Sequence, residues 1–475
     1  MLFNSFEYLI FFPLVVIIYW LIPNKFRYLF LLISSYYFYM SWDPKYVFLI
    51  LGTTIVSFFS AILIEKCNGK RLKKIILGMA ILTSIGTLFI FKYLNFFFES
   101  IGEIFSLFAI PVNPITVKLL LPVGISFYTF QTMSYVIDVY KGEIRAEHNL
   151  GIYAAFISFF PQLVAGPIER ASNLLPQIKR EKSWNEENAI EGFKLMLWGY
   201  FKKLVIADYL AIFVDTVYSD VFSYSGIDYV YAIFFFTIQI YCDFSGYSDI
   251  AIGSAKVMGI KLMTNFKSPY FSTSIKEFWN RWHISLSTWF RDYVYIPLGG
   301  NRCGKIRNAW NLFATFLISG LWHGANWTYI VWGGIHGIAQ IVEKNISVHK
   351  KTKCRWCNFF RWIVVFVFCN LSWVFFRANS IQDAAHIITG CLIGITDFRG
   401  YIHDDLLLTK GRLAYVLLII VVLGVYDWLN KDDNLFKCYF EKNKVISYGF
   451  YILIGLMIIF CSQKGAAAEF VYFQF

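Results

Sequence analysis

Long apolar runs separated by short polar loops recur along the chain from residue 8 to residue 461. A helix needs roughly 20 apolar residues to cross the hydrocarbon core of a bilayer. Runs near 8–22, 28–42, 46–64, 75–98 and 117–137 meet or approach that requirement, and others follow near 151–165, 193–214, 229–252, 359–376, 413–429 and 445–461. The stretch 309–342 is long enough for a pair of helices. With allowance for short or re-entrant pieces, the pattern predicts an all-α polytopic membrane protein with about eleven transmembrane helices. No long polar interval interrupts it, so residues 1–475 are expected to form a single membrane domain.

Two regions break the simple alternation. Between Phe159 and Asn188 the chain carries Pro161, Gly166, Pro167 and Pro176, followed by charged residues. These residues stop helices and predict a re-entrant or surface segment. Between Phe266 and Arg307, Trp279, Trp282, Trp289 and Phe290 are mixed with Lys276, Arg281, Arg291, Arg302, Lys305 and Arg307, the composition of amphipathic helices lying at an interface. No internal repeat is evident, so the repeated halves of many transporters are not indicated.

Composition supports the membrane reading. Hydrophobic residues make up 57% of the chain and charged residues 16%, against roughly a quarter charged in ordinary soluble domains. A net charge of +12 would fit a nucleic-acid partner, but the basic residues sit in short loops between apolar runs. Lys66, Lys70, Arg71, Lys73 and Lys74 share one loop, and Lys344, Lys350, Lys351, Lys353 and Arg355 another. This is the positive-inside pattern of cytoplasmic connections, so membrane lipids are expected partners and nucleic acid is not. Counting spans from the first of these loops puts both the N-terminus and the tail from Gln463 to Phe475 outside. The run Tyr8–Ile22 ends in Pro23-Asn24-Lys25, without a basic leader or a small-residue cleavage site, and reads as a retained first span. The nine cysteines are scattered and indicate no disulfide framework. Cys354 and Cys357 lack the second pair that tetrahedral zinc would need, so no metal site is expected.

Ionisable groups at membrane depth are costly and mark function. His323 lies in Ser319-Gly320-Leu321-Trp322-His323-Gly324-Ala325-Asn326-Trp327, at the expected turn of a hairpin whose two flanks both read cytoplasmic. A neutral imidazole in an apolar setting is a competent general base; a core histidine bonded to a neighbouring helix is the competing reading. In Phe278–Ser287, helical spacing would stack Asn280, His283 and Ser287 on one face lining a cavity, or His283 is incidental to a surface helix. Asp243 and Asp249, in or at the end of an apolar span, either orient a histidine, bind a substrate hydroxyl, or pair with arginine at the membrane boundary. His336, within Gly333-Gly334-Ile335-His336-Gly337, reads as a packing residue first. His148, His349, His386 and His403 fall in loops or near charges and are set aside. The chain has no G-x-S-x-G elbow, P-loop, dinucleotide fingerprint or H-E-x-x-H. What remains is a buried base without its own nucleophile, which suits direct transfer of an activated acyl group to a hydroxyl.

At this point the sequence resembles the membrane-bound O-acyltransferase family. The resemblance is carried by Asp243-Phe-Ser-Gly-Tyr-Ser-Asp249, by Glu277-Phe-Trp-Asn-Arg-Trp-His-Ile-Ser-Leu-Ser287, by Trp289-Phe-Arg-Asp-Tyr293 and by Tyr295-Ile-Pro-Leu-Gly-Gly-Asn-Arg302. Leu163–Arg170 and Gly320–Ala325 extend it, so it covers most of residues 120–340. Tyr295–Arg302 and the overall length are similar to the branch that acetylates alginate and other surface glycans. The resemblance implies a ring of tilted helices around a central tunnel, with His323 catalytic and His283 beside it. Asn280, Asp243, Asp249, Asn326 and His336 are then candidates for supporting the tunnel or the substrate. It further implies a bacterial cell-membrane enzyme with no bound cofactor. Cytosolic acetyl-CoA would be the donor, and a separate secreted SGNH-type O-acetyltransferase would receive the acyl group for a surface polysaccharide. The tail Glu469–Phe475 resembles an aromatic terminal motif, usually with Ile where this chain has Val471, whose tyrosine accepts the acyl group; here that residue is Tyr472.

Two other functions fit parts of the sequence. A transporter of a glycan or lipid-linked precursor would share the spans and buried carboxylates but would not consume acetyl-CoA. A D-alanyl or lipid acyltransferase of the same family would differ in the group it carries.

Overall fold

The computed structural model describes residues 1–110, 117, 121–164, 166–346, 354–396, 410–431, 443–462 and 470–471. Among these residues helix is the only regular secondary structure. In chain order the helices are α1 (Phe6–Leu21), α2 (Asn24–Met40), α3 (Val47–Lys66), α4 (Lys70–Leu88), α5 (Leu94–Leu107), α6 (Ile125–Lys141), α7 (Leu150–Ser158), α8 (Phe160–Leu163), α9 (Ala171–Lys179) and α10 (Glu186–Tyr200). There follow α11 (Asp208–Ser219), α12 (Ile227–Val257), α13 (Ile275–Arg281), α14 (Ile284–Phe290), α15 (Lys305–His323), α16 (Trp327–Asn345), α17 (Arg355–Arg377), α18 (Ile381–Thr396), α19 (Lys410–Asn430) and α20 (Lys444–Cys461).

Six stretches of the described residues are long and apolar enough to cross a membrane: Pro44–Lys66, Lys70–Leu107, Ile227–Val257, Arg355–Arg377, Gly411–Asn430 and Lys444–Cys461. Phe6–Leu21 and Ile381–Ile393 are shorter apolar helices. The chain is therefore an all-helical integral membrane protein. The further spans expected near 193–214 and 309–342 fall on α10–α11 and α15–α16, whose buried Lys202, Lys203, Asn308, Asn311 and His323 dilute their hydropathy. Such groups are tolerated at depth because neighbouring protein groups meet them. Helix α18 was not foreseen, and His386, set aside as a loop residue, lies on it.

The chain divides into two compact units, Met1–Met196 with Ile250–Met263, and Leu197–Asp249 with Thr264–Phe475. In the first, Pro23 separates α1 from α2 by removing an amide donor at the junction. The Tyr153 hydroxyl donates to Ser57 Oγ at 2.7 Å across the packed helices α3 and α7. The proline-rich segment folds as short α8 and α9, and its Glu169 is fully buried. The Glu169 carboxylate accepts the Met263 amide and, at 2.7 Å, Asn173 Nδ2, while burial pushes its pKa up to about 7. Helix α10 meets the end of α12 at two glycines, where a Cβ on Gly192 would stand 2.8 Å from the Gly253 carbonyl oxygen.

The second unit holds nearly all the chemistry-bearing residues singled out above. Its part of α10 meets α12 in the same way, since a Cβ on Gly246 would lie 2.8 Å from the Gly199 oxygen. A π-helical turn, Phe201–Ala207, follows α10 and turns Lys202 and Lys203 inward, where both are buried. π turns often mark functional positions. The aromatic residues of the 266–307 region also face inward: Trp279, Trp282, Trp289 and Phe290 are all buried.

Candidate active site

His323 is the last residue of α15, and Gly324 leaves the helix in an extended conformation. Asn326 then starts α16 by accepting the Thr328 amide at 3.0 Å. A Cβ on Gly320 would stand 2.2 Å from the Tyr329 carbonyl oxygen and one on Gly333 would stand 2.3 Å from the Phe316 oxygen. Only glycine lets these two backbones approach so closely, which is how the hairpin holds its turn. His323 is 3% exposed. Its imidazole meets Trp322, Trp332 and Phe376 edge-on at centroid distances of 4.9, 5.1 and 5.2 Å. Three aromatic rings thus wall the imidazole off from water.

His283 is reached by a different route. The expected face joining Asn280, His283 and Ser287 does not exist, because the helix breaks between α13 and α14. Trp282 is extended there and His283 adopts a left-handed conformation with φ 42°. A non-glycine residue in that region carries strain of roughly 1–3 kcal/mol. The break turns the imidazole into the interior, fully buried, while Asn280 is exposed. His283 Nδ1 lies 3.0 Å from Asn265 Oδ1. That oxygen also faces the Ser285 amide at 3.4 Å and the Ser285 hydroxyl at 2.9 Å. Asn265 Nδ2 donates to Ser248 Oγ at 3.1 Å. An amide N–H can only donate, so Asn265 Oδ1 is the acceptor and the His283 proton is assigned to Nδ1. Burial drives the His283 pKa down to about 3, so the ring is neutral at physiological pH. Trp322 contacts both histidines, 6.3 Å from the His283 ring and 4.9 Å from that of His323.

The remaining candidates divide. His336 is hydrogen-bonded at both ring nitrogens. Trp279 Nε1 donates to its Nδ1 at 3.2 Å, which leaves Nε2 to donate to Ser372 Oγ at 3.0 Å, and Ser372 in turn donates to the Cys369 carbonyl at 2.9 Å. Asn326 caps α16, and its Nδ2 donates to the Asn379 carbonyl at 3.0 Å. Asp243 and Asp249 pair with lysine rather than arginine. Asp249 Oδ2 lies 2.7 Å from Lys202 Nζ, and Asp243 Oδ1 lies 2.6 Å from Lys203 Nζ, which also reaches Asp208 Oδ1 at 2.8 Å. Asp243 Oδ2 accepts the Val471 backbone amide at 2.6 Å. Tyr472 lies outside the described residues.

Sequence reasoning passed over Lys202, Lys203 and Asn265. The two lysines carried a readable signal, since they lie inside the apolar run 193–214. Asn265 sits in an irregular segment with no periodicity to mark it.

A cavity of about 610 Å³ lies among α13, α14, α15 and α16. Ser319, one helical turn before His323, lines it together with Trp279 and Phe316. Trp279 also meets Trp332 at 5.7 Å, so along this path two tryptophans stand in series between the cavity and the His323 ring. On its outer side Lys276, Arg291 and Lys344 line the cavity and are exposed. Asn280, Ser287, Asn301 and Gln340 add polar groups. Helix α13, which carries Lys276 and Trp279, is fixed at its start in two ways. Ser274 accepts the Glu277 amide at 3.0 Å, and the Glu343 carboxylate of α16 takes the Ile275 and Lys276 amides. Asn301 is set by a turn whose Gly299 and Gly300 have φ of 115° and 54°.

The second unit thus sets a sheltered imidazole one helical turn from Ser319, which lines a cavity that also carries exposed cations. The comparisons define the class. Residues 141–381, drawn from both units, match the model of the MBOAT, membrane-bound O-acyltransferase family. The chain is 41% identical over 435 residues to the "Probable alginate O-acetylase AlgI" of Pseudomonas aeruginosa, covering 91% of this chain and 83% of that protein. It is 35% identical to the protein of the same name from Pseudomonas putida over the whole of both chains. It is 33% identical to the "Peptidoglycan O-acetyltransferase" of Helicobacter pylori over 94% of this chain and 91% of that protein. The chain belongs to the membrane-bound O-acyltransferase family.

Proposed function

We propose that this acyltransferase takes an acetyl group from cytosolic acetyl-CoA and passes it across the membrane for O-acetylation of a cell-wall or extracellular polysaccharide. The cavity carries the reading. Its three exposed cations suit the phosphates of coenzyme A, and its apolar end, lined by Trp279, Phe316 and Ser319, lies one helical turn from His323. The relatives' names, taken from alginate and peptidoglycan acetylation, favour acetyl over D-alanyl transfer. On this reading residues 1–475 work as one membrane enzyme in the bacterial cytoplasmic membrane. The cavity mouth faces the cytosol, both termini lie outside, and a secreted SGNH-type transferase completes the transfer to glycan.

In the proposed step the hydroxyl of Tyr472 attacks the thioester carbonyl. The acyl C–O bond forms as the C–S bond breaks, and the phenolic proton passes by way of the His323 imidazole to the coenzyme A sulfur. Trp322, Trp332 and Phe376 keep water from the base. His283, held by Asn265 in a single tautomer with Nε2 as its acceptor nitrogen, also contacts Trp322.

The test is coenzyme A release from radiolabelled acetyl-CoA by the purified protein, with label traced on the polypeptide. Wild-type turnover and labelling, with a fall of on the order of 10²–10⁴ in His323→Ala, is the expected result. Tyr472→Phe should abolish labelling and keep acetyl-CoA binding. Equal, negligible turnover by wild type and His323→Ala would turn the reading towards transport.

A further inference from the structure

The tail residues next to the expected acyl acceptor are built into the second unit by ring contacts and by a hydrogen bond to a carboxylate. Phe470 and Val471 are buried, at 0% and 4% exposed. The Phe470 ring lies 4.5 Å from that of Tyr247 and 5.7 Å from that of Phe244, both on α12. Phe244 in turn meets the His283 ring edge-on at 4.6 Å. A buried backbone amide needs an acceptor, and the Val471 amide has one in Asp243 Oδ2 at 2.6 Å.

Asp243 is divided between two partners. Its other oxygen, Oδ1, belongs to Lys203, which Asp208 also neutralises. Lys203 therefore retains a carboxylate even without Asp243, so the cation does not explain why a second carboxylate stands here. The contact that Asp243 alone supplies is the one to the tail.

We propose that Asp243 is the docking residue of the C-terminal tail: its carboxylate, steadied by Lys203, fixes the backbone at Val471, and acyl hand-over to the tail depends on that contact. The inference rests on the reading of Tyr472 as the acceptor. Asp243 is a positioning residue, acting through the tail and not on the thioester.

Two changes break the same hydrogen bond from opposite sides. Asp243→Ala removes the acceptor. Val471→Pro removes the donor and leaves Asp243, Lys203 and Asp208 intact, with Val471→Ala as the control that keeps the amide. The full-length protein in lipid nanodiscs is followed by hydrogen–deuterium exchange of its C-terminal peptide and by label transfer from acetyl-CoA to the chain. The expected result is exchange at Phe470–Val471 on the order of tenfold faster in Asp243→Ala, the scale of a lost bond to a charged acceptor, with peptides from α15 and α16 unchanged. Label transfer falls at least as far in Asp243→Ala and Val471→Pro, with KM for acetyl-CoA unaltered and Val471→Ala close to wild type. Unchanged tail exchange in Asp243→Ala overturns the docking role. Faster exchange with undiminished labelling overturns the hand-over reading and leaves the docking contact standing.

Discussion

The two histidines that dominate the second unit are prepared in different ways. His323 is held by ring contacts at the end of a helix, and His283 by a strained left-handed backbone with an asparagine on Nδ1. A third, His336, makes hydrogen bonds at both nitrogens and is part of the scaffold. Its replacement separates structure from chemistry. His336→Leu leaves the buried Trp279 N–H without its acceptor, a loss of about 1–3 kcal/mol, while Ser372 keeps its bond to the Cys369 carbonyl. Thermal unfolding of the purified variant should show a lowered midpoint, while the molecules that remain folded still transfer acyl groups through His323. Loss of turnover at full thermal stability would return His336 to the reaction.

Helices show how much the sequence can and cannot convey. The hairpin of α15 and α16 was legible, because glycines flank His323 and both ends of the stretch are basic. The continuous face through Asn280, His283 and Ser287 was not, because 3.6-residue spacing presumes an unbroken helix and nothing local in Trp282-His283 announces a left-handed residue. Its cause is tertiary: Asn265 draws in the His283 ring and the Ile284 amide, which donates to the Asn265 carbonyl at 2.9 Å. The charge pairs along α12 were half legible, since Asp243 and Asp249 stood out while their lysines were hidden in a run read for its hydropathy. At this scale the close contact of α15 and α16 yields a firm expectation. Gly333→Val places branched carbon atoms against the Phe316 carbonyl, where even a Cβ has 2.3 Å. The helices must part, at a cost of about 1–3 kcal/mol, and the Ser319 side of the cavity moves with them. Coenzyme A release should fall together with the unfolding midpoint; a variant with wild-type values of both would show that the glycine contact is dispensable.

For the molecule as a whole, the apolar surface that faces lipid and the charged cavity mouth serve separate ends. The lipid-facing helices α4, α19 and α20 are largely exposed along their apolar windows, as helices that trade contacts with hydrocarbon should be. The mouth places Lys276, Arg291 and Lys344 in water. Exposed charges are screened by salt within about 8 Å at physiological ionic strength. KM for acetyl-CoA should therefore rise steadily with added sodium chloride while kcat holds. Replacing the three cations with glutamine should flatten that dependence, and an unchanged salt profile in the triple variant would place the donor elsewhere.

The cap on α13 bears on how such a donor departs. A helix start commonly offers free amides that grip a phosphate tightly, but here Glu343 already occupies those of Ile275 and Lys276. On the proposed reading the diphosphate of the donor meets side chains at the rim: Lys276, Arg291, which pairs with Asp292 at 2.8 Å, and Lys344, which donates to Asn308 Oδ1. On that reading such a grip draws in an anion without the fixed amides of a helix start, so the spent carrier is expected to exchange quickly and turnover to be set by the passage of the acyl group.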